Sequence, residues 1–134
     1  MSRPMTIVLA LAAALVIPVA ANAQCPGVYK VATPYADETL TVSSASAIPF
    51  TAAKVHATIV NADGTARRAR PIAADVSTTG GTLRIFVTGT TPTTTLGHAI
   101  SAGTMFTICG GAAIDRFRGI AASSTVTLTV TYWE

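Results

Sequence analysis

The chain has 134 residues, 50% of them apolar and 11% charged, with nine Lys and Arg against six Asp and Glu and a formal charge of +3. So mild a balance excludes the dense basic face of a nucleic-acid binder. The mean hydropathy of +0.52 points toward a membrane protein only if the apolar residues are evenly spread. They are not, because residues 5–21 run without a charge and carry much of that score.

That run follows a short start containing Arg3 and ends in Ala21-Asn22-Ala23 before Gln24. This is the layout of a cleavable secretory signal peptide over residues 1–23. Pro18 and the lack of charge after the run argue against a retained membrane span. Residues 24–134 are then a single domain, too short for a two-domain enzyme. An exported location, periplasmic or extracellular, is expected.

Both cysteines, Cys25 and Cys109, fall in the exported portion. An even count in an oxidising compartment reads as one disulfide. A lipid anchor on Cys25 is the rival, but lipoprotein processing wants a small residue before the cysteine, and Gln24 is not small.

Downstream the chain reads as β throughout, rich in Thr, Val and Ile and punctuated by turn residues, with no sustained helical stripe. Thr39 to Val42 alternates polar with apolar. Ala53 to Val60 is expected as a strand with Val55, Ala57 and Ile59 on one face and Lys54, His56 and Thr58 on the other. Asn61-Ala62-Asp63-Gly64 supplies a tight turn. Arg68 to Ser77 follows as a strand interrupted by Pro71, which confines it to an edge or a bulge.

Gly80-Gly81 turns into Thr82 to Val87, with Leu83, Ile85 and Val87 opposed to Arg84 and Phe86. Thr88 to Leu96 is read as an exposed loop unable to build core. Gly97 to Gly103 places His98 in a turn, its ring bonded to loop backbone. Thr104 to Cys109 is a further strand. Ile114 to Ile120 is another candidate, with Ala112 to Arg116 able to make one helical turn first. Thr125 to Tyr132 alternates cleanly, so Val126, Leu128, Val130 and Tyr132 face the core. Seven or eight such strands imply an all-β, antiparallel two-sheet sandwich, jelly-roll or immunoglobulin-like.

Catalytic, cofactor and metal patterns are not found. The two histidines are far apart, no Cys-x-x-Cys or His-x-x-x-His spacing occurs, and no Gly-x-Ser-x-Gly elbow appears. No enzymatic activity and no cofactor are therefore expected. The candidate partner-contact residues are the cluster Arg67, Arg68 and Arg70, together with His98 and the near-terminal Trp133.

Several segments recur in a recognisable order: Phe50-Thr51-Ala52-Ala53, Arg84 to Gly89, Thr91-Pro92-Thr93, Gly97-His98, Ala102-Gly103, Arg116-Phe117-Arg118 with Ile120, and Val126 to Tyr132. From about Ile48 to Tyr132 this order resembles a family of small virion-associated proteins of tailed bacteriophages and prophages. Arg84 to Gly89 departs from the family's Arg-aromatic-Arg-x-Asp-Gly segment, lacking the second arginine and the aspartate. The resemblance implies a non-enzymatic structural or accessory protein, capsid- or tail-associated, that works through contacts with other protein subunits and forms a homo-oligomer. The leader makes it an exported or envelope-directed version of such a component.

Thr88-Gly89-Thr90-Thr91-Pro92-Thr93 more faintly resembles the immunoglobulin-like accessory domains of secreted chitobiase-type enzymes. The alternative function is an exported module that binds cell-surface or extracellular glycans.

Overall fold

The computed structural model describes residue 25 and residues 32–134. The leader expected over residues 1–23 lies outside the described residues.

Nine strands and two single helical turns succeed one another: β1 (Pro34–Val42), α1 (Ala52–Val55), β2 (Thr58–Val60), β3 (Ala66–Arg68), β4 (Ala73–Thr79), β5 (Leu83–Phe86), β6 (His98–Ile100), β7 (Met105–Cys109), α2 (Gly111–Asp115), β8 (Arg118–Ala121) and β9 (Val126–Trp133). They form a four-stranded sheet in the order β1-β9-β4-β7, a three-stranded sheet β6-β5-β8, and a separate β2-β3 hairpin. Every pairing is antiparallel. The fold is all-β, and the two larger sheets share one core.

β9 is the centre of the large sheet, pairing β1 on one side and β4 on the other. Its alternation does what period 2 requires, and Val126, Leu128, Val130 and Tyr132 are all fully buried. Opposite them lie Leu83, Ile85 and Ala121 of the small sheet. Fully burying one such aliphatic or aromatic side chain stabilises by roughly 1.5–3 kcal/mol.

An aromatic cluster closes one part of this core. Phe50 stacks on Phe117 with ring centroids 3.9 Å apart, and Tyr132 meets Phe50 edge-on at 5.7 Å. Phe50 reaches this place because Ile48 exchanges two backbone hydrogen bonds with Gly119 of β8.

Three expectations change. Ala53 to Val60 is not one strand: Thr51 O accepts from Lys54 N and Val55 N, winding residues 52–55 into α1, and only Thr58–Val60 stays extended. Of the predicted inward face, only Val55 is buried, because the hairpin that follows stands off both large sheets. Arg68 to Ser77 divides into β3 and β4 on either side of Pro71, as a residue without an N–H would force. The Thr88 to Leu96 loop is exposed except for half-buried Thr94 and for Pro92, which is fully buried. Gly97, at φ +129, closes over it, and a Cβ there would come within 3.2 Å of both Pro92 Cβ and Ile85 O.

The outer face of the large sheet is of another kind. The register sets Asp37, Thr131, Asp75 and Thr107 in one row across four strands, and Thr39, Thr129, Ser77 and Met105 in the next. Thr41, Thr127 and Thr79 make a third. In the first row Thr131 donates to Asp37 and Thr107 to Asp75, each at 2.6 Å. The result is a broad hydroxyl-covered surface with two carboxylates already engaged.

Candidate functional site

Cys25 and Cys109 are joined by a disulfide with Cα atoms 5.3 Å apart. Cys109 ends β7, an edge strand, so the bond ties residue 25 to the rim of the large sheet.

The arginine cluster sits on the β2–β3 hairpin. Its turn is organised by Asp63, whose Oδ1 accepts from Thr65 N at 2.9 Å and from Thr65 Oγ1 at 2.6 Å. These donors hold the Asp63 carboxyl below its ordinary range. Gly64 supplies the φ of +82 that the turn needs.

Arg67, just beyond, is engaged on all sides. Its Nε donates to Asn61 Oδ1 at 3.0 Å, and its two terminal nitrogens donate to the two carboxylate oxygens of Glu134 at 2.9 and 2.5 Å. This two-pronged contact raises the Arg67 guanidinium above its usual value and holds Glu134 below the ordinary carboxylate range. It clamps the hairpin to the end of β9.

An open groove of about 880 Å³ runs beside the hairpin, walled by Arg67, Arg68, Arg70 and Pro71 on one side and by His56 and Asp115 on the other. His56 and Asp115 are held together, Nε2 donating to Oδ1 at 2.8 Å. They come from the ends of α1 and α2, which places a residue pair 59 positions apart in one wall. Gly111 forms part of the floor, and a Cβ there would lie 2.9 Å from Pro71 O. Only glycine lets α2 approach so closely.

No family model matches the chain, and neither a curated protein nor a solved structure matches it.

The other two candidates lie apart from the groove. His98 opens β6 rather than sitting in a turn, and its exposed ring stands edge-on to Phe86 at 5.9 Å instead of bonding to loop backbone. Trp133 is half-buried at the end of β9, opposite Pro34 and Ala73, and its covered indole Nε1 has no acceptor. The structure thus gathers the three arginines and separates them from His98 and Trp133.

No sequence spacing indicated the groove residues His56, Asp115 and Gly111, nor Glu134, which engages Arg67. The usable hint was the helical turn expected at Ala112 to Arg116, because it contains Asp115.

A second polar feature lies beneath α1. Glu38 projects toward the core side of β1, where it accepts a hydrogen bond from Tyr132 OH and another from Thr51 N at 3.2 Å. Burial, then the Glu38 contact, pushes the Tyr132 phenol upward. Tyr35 OH donates to Val55 O at 2.5 Å. Its pKa is pushed up to about 12, first by burial and then by the negative charges of Glu134 and Asp115. These bonds fasten α1 to the large sheet, beside an open hollow lined by Asp37, Glu38, Thr51 and Lys54.

Among the described residues, no three of His, Cys, Asp and Glu converge as a metal would require. No helix among them is long and apolar enough to cross a membrane.

Proposed function

We propose that the chain is an exported, non-catalytic structural or accessory component of a phage-like particle, and that it works through its surfaces against other protein subunits. The observation that carries this reading is the outer face of the large sheet. Thr39 and Thr41 on β1, Thr127, Thr129 and Thr131 on β9, and Ser77 and Thr79 on β4 make a broad, weakly charged surface suited to packing against another subunit.

The groove adds to the reading, since its His56–Asp115 pair has no serine, threonine or cysteine among the lining residues to activate. The glycan-binding alternative draws less support, because no Phe, Tyr or Trp lines the groove to stack on a sugar ring. Mass spectrometry of particles purified from the encoding element tests the proposal. The expected result is the chain within the particles, beginning after Ala23. Its absence from particles that otherwise assemble normally overturns the reading.

A further inference from the structure

Arg68 and Arg70 differ from their neighbour Arg67. Both are exposed, and among the described residues neither guanidinium meets an acid. Between them Ala69 is turned inward and buried, its N–H donating to Ala57 O at 2.8 Å. The alternation puts both arginines on one side of an extended segment, with Cα atoms about 6.5–7 Å apart. The acids nearest to hand are already held, Glu134 by Arg67 and Asp115 by His56.

Arg67 displays the chemistry next door. A planar guanidinium in this wall takes a carboxylate on two prongs. Two more such forks, similarly spaced and unmatched, present a pattern that an extended strand with acidic side chains at alternate positions would complement. The same two-residue period sets the carboxylate spacing on such a strand.

We infer that the groove is the docking site for an acidic segment of a partner polypeptide, with alternate carboxylates meeting Arg68 and Arg70. The inference rests on the protein-contact reading above and names the chemistry of the partner. An open groove of about 880 Å³ suits a polymer segment better than one small anion. Its aromatic-free lining favours peptide over polysaccharide.

The test is fluorescence anisotropy of a dye-labelled peptide alternating Glu and Thr, against its Gln–Thr twin, at low and moderate salt. The probe is titrated with the intact disulfide-bonded protein and with Arg68→Gln, Arg70→Gln and the charge control Lys54→Gln, which lies outside the groove lining. The Glu peptide is expected to bind, the Gln twin not, and each arginine variant to lose roughly three- to tenfold in affinity while Lys54→Gln changes little. Melting curves of the variants should overlay that of the parent, because both arginines are exposed.

Equal binding of the two peptides, or an equal loss in Lys54→Gln, overturns the inference. So does binding of a sulfated polysaccharide through Arg68 and Arg70 by a protein that ignores the Glu peptide. If the chain is found in particles yet ignores the peptide, only this inference falls. If it is missing from particles, the proposed function falls whatever the peptide does.

Discussion

The central strand β9 and the β2–β3 hairpin are held in place by opposite means. β9 buries four apolar side chains completely and is hydrogen-bonded along both edges. The hairpin exposes nearly all its side chains and depends on Arg67, Asn61, Glu134 and the inward Ala69. Apolar burial is non-directional and tolerant, whereas a polar clamp works only in one geometry. The molecule therefore joins a hard double-sheet body to a lightly attached charged hairpin, and the hairpin can adjust without disturbing the core.

The largest expected effect bears on both regions alike. Replacing Cys25 and Cys109 by serine opens a loop closed over 84 positions, and chain entropy puts the loss at about 4–5 kcal/mol. Urea unfolding of the serine variant beside the parent measures it. A loss confined to one region would break the picture of a single body.

Phe117→Ala should come next. Phe117 is fully buried against Phe50, and a truncation of this kind costs about 3–5 kcal/mol. Its unfolding free energy should fall while hairpin amides keep their exchange rates relative to the rest.

Alkaline titration sharpens the contrast from the other side. Because the folded Tyr35 phenol is raised from 10.0 to about 12, the fold favours its neutral form. That stabilisation is complete below pH 10 and is lost as pH rises toward 12. Tyr132 shifts in the same direction. Urea midpoints should therefore decline across this window, with phenolate absorbance appearing as they do.

The smallest global effect belongs to the hairpin. Arg67→Gln should leave overall stability nearly unchanged, as expected for an exposed, solvent-screened ion pair. It should nevertheless quicken hydrogen exchange across β2 and β3, leave β9 unaltered, and let Glu134 titrate at higher pH. Slower or unchanged exchange in the hairpin would show that the clamp is not what holds it.

The same division governs what could be read from the sequence. β9 and β5 were legible because each buries every second residue, so the pattern along the chain is the pattern in space. The helical turn at α2 and the Asn61-to-Gly64 turn were legible from local chemistry. Ala53 to Val60 misled because only its last three residues enter a sheet: Thr51 O draws the chain into α1 before pairing begins. The groove was half legible. Arg67, Arg68 and Arg70 announced themselves as a cluster, but His56 and its partner Asp115 are 59 positions apart, and Glu134 is 67 positions from the arginine it engages. Pairing at that range is set by topology, and local periodicity carries no trace of it.

The place of β9 also has a consequence in time. Val42 is paired with Val126 and Pro34 with Trp133, so this interior strand of the large sheet is made after the other eight described strands. At about 5–20 residues per second, β1 waits roughly 4 to 17 s for its neighbour, with one whole edge unmatched. β1 and β4 have no contact across the gap until β9 enters between them. Closure of the sheet is thus a late event, and a chain cut short before Val126 keeps only the β4–β7 pair of this sheet and leaves β1 without a neighbour.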